Sequence, residues 1–130
     1  EHYIHTLEEI GKLLFERGRA GLSQMIRHLK TGGFLGILID QYFHEGAETQ
    51  FMGLATRTST SAAEMALKFD ALLIPIYAIR TGDKRGFICE VEAPIPHSNP
   101  IHMTQALNDS LEGRVRQHPE QWLWIHRRWK

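Results

Sequence analysis

The sequence predicts an α/β fold, a mixed and largely parallel sheet flanked by helices. Three observations predict it: two short, uninterrupted apolar runs at Phe34–Ile39 and Ala71–Ile79, amphipathic helical patterns between and after them, and a turn-linked further strand at Phe87–Ala93. Apolar runs of this length suit strands covered on both faces, as in parallel sheets, and intervening helices suit crossover connections.

Taking the elements in order, Thr6–Ile10 reads as the end of a helix and Lys12–Phe15 as a short strand. Glu16-Arg17-Gly18-Arg19-Ala20-Gly21 reads as a loop whose glycines let backbone and arginines approach an anion, and equally as a plain surface connection. The next helix carries Leu22, Met25, Ile26 and Leu29 on one stripe and stops at Lys30, Gly32 and Gly33, a cationic last turn followed by glycine. Phe34–Ile39 is then a buried strand with Asp40 and Gln41 at its carboxyl end, the edge where open α/β sheets bind ligands.

Periodicity fails from Tyr42 to Thr58, which predicts a long loop. Ser61-Ala62-Ala63-Glu64 has the form of a capping box, and the Ala-rich helix after it reaches about Phe69, its small residues allowing close packing on the sheet. Pro75 inside the second apolar run marks an edge position, a bulge or a strand end, because proline cannot donate to a ladder. Thr81–Gly86 turns the chain into Phe87–Ala93, giving a hairpin. A proline-rich connection, Pro94–Pro100, leads to a helix at Met103–Gln117 with Met103, Leu107, Leu111 and Val115 on one stripe. Pro119 opens a terminal helix, which would put Trp122, Ile125 and Trp129 on one face.

Composition narrows the function. A chain of 130 residues, 42% hydrophobic, suits one globular domain. Its formal net charge is zero, so no overall field draws it to nucleic acid. Charge is uneven, however: Arg114–Lys130 holds five Lys or Arg and one acid, whereas Asp40–Gln50 holds three acids and neither Lys nor Arg. A single Cys89 excludes an intramolecular disulfide and any CxxC motif. The longest apolar run is about half the roughly 18 residues that a membrane span needs. The chain opens on Glu1 directly in patterned sequence, and the expectation is that its natural start is missing.

Eight histidines invite a metal or general-base reading, but their spacing discourages it: none pairs at i, i+4 around a Glu, and Cys ligands are lacking. GxSxG, P-loop and GxGxxG motifs are absent. What stands out is the carboxyl-terminal stretch, where Trp122, Trp124 and Trp129 interleave with Arg127, Arg128 and Lys130. Indole area beside fixed positive charge suits a surface where apolar and anionic groups meet.

Five segments, Gly18–Gly21, Gly36–Gln41, Phe51–Gly53, Thr58–Ala63 and Pro119–Trp129, together resemble the carboxyl-terminal half of bacterial lipid A biosynthesis acyltransferases, the lauroyl or myristoyl transferases. The resemblance covers nearly the whole chain in the right order, and its tail motif is the most specific part. It implies one incomplete domain of a glycerolipid acyltransferase-like fold. The implied reaction moves a fatty acyl group from acyl carrier protein to a hydroxyacyl chain of the lipid A precursor, with no cofactor and no nucleic-acid partner. The implied location is the cytoplasmic face of the bacterial inner membrane. Such enzymes use a His-x-x-x-x-Asp/Glu motif, the His taking the acceptor hydroxyl's proton while the carboxylate orients the imidazole. No His of this chain has a carboxylate five residues on, so the motif and a membrane anchor are expected upstream and the chain alone is expected to be inactive.

The resemblance further assigns Arg17 or Arg19 to the acceptor phosphate and Asp40 with Gln41 to sugar or acceptor hydroxyls. It leaves Arg127, Arg128 and Lys130 for anionic lipid. Two rival readings stand beside it: a module binding anionic lipid or single-stranded nucleic acid through the aromatic and basic tail, and a metal-dependent hydrolase built on the histidines.

Overall fold

A computed structural model describes residues 19–82 and 85–130. The expected first helix and first strand, and Arg17, lie outside the described residues. By contacts the chain divides into two units, Glu1–Gly36 and Ile37–Lys130.

In the first unit, helix α1 (Arg19–Lys30) starts earlier than its apolar stripe suggests, so Arg19, Ala20 and Gly21 are helical rather than part of a loop. It ends as the glycines predict. Gly32 takes φ +79°, its N–H donates to Leu29 O, and Gly33 N–H donates to His28 O, the paired bonds of a Schellman cap.

Among the described residues the expected parallel sheet does not form. Phe34–Ile39 has no regular secondary structure, and Phe34 and Leu38 are 83% and 90% exposed. A run of strand-forming residues becomes a strand only when a neighbour completes its ladder, and among the described residues none lies alongside.

In the second unit both sheets are two-stranded and antiparallel. Strands β1 (Ala47–Phe51) and β2 (Leu54–Thr58) pair from Ala47↔Thr58 to Phe51↔Leu54, within the region expected to be a loop. Their connection is Met52-Gly53, with φ +54° and +74°. Two successive left-handed residues make the type I′ turn whose twist matches a hairpin.

Helix α2 (Ser61–Phe69) has Thr60 as its N-cap residue, and the Thr60 hydroxyl bonds the Glu64 carboxylate rather than a backbone N–H, so the capping box is not made. Its buried Ala63 and Ala66 pack with Met103 of helix α3 (Pro100–Gln117). The small residues thus bring helix to helix, not helix to sheet. Asn99 caps α3 by accepting from His102 N–H, with Pro100 in the first turn, so the helix starts three residues before its apolar stripe.

Strands β3 (Ile76–Arg80) and β4 (Phe87–Val91) form the expected hairpin. Its register slips by one residue between Ile76↔Val91 and the bridge Leu73↔Ile95, so Pro75 lies at a strand end beside a bulge.

Beyond α3 only Pro119–Gln121 is helical, as one 3₁₀ turn. The Trp124 indole N–H donates to Pro119 O at 2.8 Å, taking an acceptor that a continuing helix would need. The expected shared face of Trp122, Ile125 and Trp129 is therefore not built: Trp122 and Trp129 turn inward and Ile125 is 83% exposed.

Candidate functional site

Alternation along β1 and β2 sends Thr49 and Phe51 from one strand, and Thr56 and Thr58 from the other, to the same buried face. Helix α3 crosses that face and contributes Asn108. The Asn108 amide donates to the hydroxyls of Thr49 and Thr58, each at 3.1 Å, and to Gln50 O at 3.2 Å. Those two hydroxyls are 2.9 Å apart.

Into this nest the tail inserts Arg128, fully buried. One guanidinium nitrogen donates to Gln41 O, Arg57 O and the Thr56 hydroxyl at 3.1, 3.2 and 3.4 Å. The other donates to the Thr58 hydroxyl at 2.7 Å and Asn108 Oδ1 at 2.9 Å. The guanidinium also lies 5.3 Å from the centroid of the Phe51 ring. Burial lowers the Arg128 pKa from its usual value, and the Asp40 charge opposes the shift. A guanidinium keeps its proton under ordinary conditions, so the interior holds a charge supported by neutral acceptors and by Asp40.

Trp122 and Trp129 flank the site, each with its ring centroid 5.7 Å from that of Phe51. The Trp129 indole N–H donates to Phe51 O at 3.1 Å. Arg128 Nε and Asp40 Oδ1 are both buried without a hydrogen-bond partner.

The sequence-predicted site residues separate accordingly. Asp40 and Gln41 meet the tail, Asp40 through its charge and Gln41 through its carbonyl. Arg128 is withdrawn from any lipid-facing surface because its guanidinium is bonded inside the nest, while Arg127, one residue before it, stays exposed. Lys130 is exposed, its Nζ 5.2 Å from the centroid of the Tyr42 ring. Arg19 opens α1, in the unit that does not include the nest. Sequence reasoning missed Asn108 and the three threonines. Their signal was present as Thr49, Thr56 and Thr58 at alternate positions, and as Thr104 and Asn108 four apart beside the apolar stripe of α3.

Elsewhere an open cleft of about 710 Å³ lies between the starts of α2 and α3. Its Thr60, Glu64 and Asn99 already bond one another or the helix ends. Among the described residues no three His, Cys, Asp or Glu gather to hold a metal ion, and no helix is long and apolar enough to cross a membrane.

Four of the five segments that carried the resemblance thus meet at one side chain: Gln41, Phe51 and Thr58 all contact Arg128 of the tail. The family model described as bacterial lipid A biosynthesis acyltransferase matches residues 3–130. The chain belongs to the bacterial lipid A biosynthesis acyltransferase family. No curated protein matches it. For this acyltransferase-family chain, the nest explains why the tail motif ends as it does, since the second arginine of His126-Arg127-Arg128-Trp129 fastens the tail to the segment that carries Asp40.

Proposed function

We propose that this chain is the acceptor-side part of an enzyme that moves a fatty acyl group from acyl carrier protein to a hydroxyacyl chain of the lipid A precursor, at the cytoplasmic face of the bacterial inner membrane. The supporting observation is the bond from Arg128 to Gln41 O, which ties the family's tail motif to the Asp40-Gln41 segment. On this reading Asp40 and Gln41 position acceptor hydroxyls, and Arg19, with Arg17, attracts the acceptor phosphate. The base that takes the hydroxyl proton comes from a His-x-x-x-x-Asp/Glu segment, which the 130 residues do not contain. The proton leaves the acceptor oxygen as that oxygen attacks the thioester carbonyl, and the carrier thiol departs.

The test is acyl transfer from acyl carrier protein to the lipid A precursor by the full-length enzyme, with the 130-residue chain alone as comparison. Asp40→Asn should lower kcat/KM about a hundredfold, as expected for a displaced positioning group. Turnover by the chain alone, or unchanged kinetics in Asp40→Asn, would overturn this assignment.

A further inference from the structure

Trp122, tilted, and Trp129, stacked, both pack on the same Phe51 ring, and the chain between them makes a loop pinned at both ends. The pins are firm: Arg128 is bonded in the nest beside one, and the Trp124 indole holds Pro119 O beside the other. Within the loop His126 N–H donates to Leu123 O at 3.2 Å and turns the chain at Trp124-Ile125. The turn presents three consecutive large apolar residues, Leu123, Trp124 and Ile125, which are 54%, 55% and 83% exposed. Exposed His126, Arg127 and Lys130 follow directly, and no acid occurs from Gln121 to Lys130.

The geometry points to a docking element: the Leu123-Trp124-Ile125 turn enters the headgroup and upper acyl region of an anionic phospholipid bilayer, with Arg127 and Lys130 at the level of the lipid phosphates. The inference rests on the membrane-surface reading above and adds the element that makes the contact. Three arguments favour lipid as the occupant. The most exposed of the three side chains is a branched aliphatic, which gains from leaving water but offers no ring for a base to stack on. Trp124 has its indole N–H engaged by Pro119 O and stays 55% exposed, and tryptophan favours the interface between headgroups and acyl chains. The loop is held in shape by Phe51 before it meets a partner, so little ordering accompanies insertion.

The test uses the purified full chain and vesicles of phosphatidylcholine with or without phosphatidylglycerol, their acyl chains brominated close to the headgroup. Emission from Trp124, obtained by difference from Trp124→Phe, should be quenched on vesicles containing phosphatidylglycerol. Ile125→Ser alters a side chain that supports nothing in the fold and should weaken partitioning about tenfold, the loss expected for one large aliphatic group. Arg127→Gln should weaken binding to vesicles containing phosphatidylglycerol and leave binding to neutral vesicles unchanged. Absence of Trp124 quenching, or equal partitioning of Ile125→Ser and the parent, would overturn the inference. So would tighter binding to a single-stranded oligonucleotide than to the vesicles, insensitive to Ile125→Ser. Acyl transfer by the full-length enzyme on detergent-dispersed substrate separates the two readings: transfer without Trp124 quenching removes the docking loop alone, and quenching in a full-length enzyme that never transfers removes the acyl-transfer reading alone.

Discussion

The two hairpins of the second unit have strands of equal length and the same antiparallel pairing, yet they meet the rest of the fold in opposite ways. The polar hairpin, β1–β2, buries threonines and receives a buried arginine. The apolar hairpin, β3–β4, leaves Ile76, Phe87 and Val91 at 48%, 67% and 64% exposure on its outer face. It docks on α3 through charge instead: Arg114 pairs with Glu90 at 3.0 Å and Glu92 at 2.7 Å, and Tyr77 OH lies 2.6 Å from the Ser110 hydroxyl. Hydrophobicity of a strand therefore does not decide its burial. What covers the strand decides it, and for β1–β2 the cover is α3 together with the tail.

The largest effect that tests this contrast is loss of the buried cation. Arg128→Met should destabilise the second unit by about 3–5 kcal/mol, the range for breaking a buried charged network, because Asn108, Thr58 and the Gln41 and Arg57 carbonyls lose their donor together. Arg127→Met, one residue away and exposed, should stay within about 0.5 kcal/mol. Urea unfolding of both variants makes the comparison, and equal midpoints would show that the tail does not brace the hairpin.

Next in size is the network's neutral member. Asn108→Ala removes an amide that donates to three oxygens and accepts from Arg128, and should cost about 1–3 kcal/mol. On the apolar hairpin, a double-mutant cycle between Arg114 and Glu92 should give a coupling of about 1 kcal/mol or less, since both side chains are partly exposed. A coupling larger than the loss in Asn108→Ala would reverse the contrast between the hairpins.

These energies also mark what the sequence could disclose. The α2 and α3 helices and the β3–β4 hairpin were legible because local pattern specifies them, and the α1 stop because glycine capping does. At Pro75 the sequence offered an edge position, a bulge or a strand end, and the register places it at a strand end beside a bulge. The β1–β2 hairpin was not, because Met52 is an unusual residue for a left-handed turn position and the strands alternate among polar residues with no apolar contrast. The misread strand at Phe34–Ile39 carries the right residues but has no ladder partner among the described residues, which no local pattern reveals. Arg128 was misplaced for a related reason: adjacent arginines read as a solvated charge run, and only the partners, distant in sequence, distinguish the inner one.

The smallest expected effect lies at the hairpin tip. Glu112 of α3 accepts from Arg116 and from Met52 N–H, the latter at 2.6 Å, and these bonds, Arg116's first, hold its pKa below the ordinary carboxylate value. A carboxylate with a depressed folded pKa contributes stability that is present above its unfolded pKa and lost as pH falls through the folded one. The Met52 amide resonance should therefore titrate with a midpoint below that of an exposed glutamate, and protection of that amide from exchange should fall in the same acid range. Glu112→Gln should remove the pH dependence and leave the Arg128 network unmoved, because the turn and the nest lie at different places along the hairpin. A tip that titrates at the ordinary glutamate value would mean that α3 holds the hairpin through Asn108 and Gln105 alone.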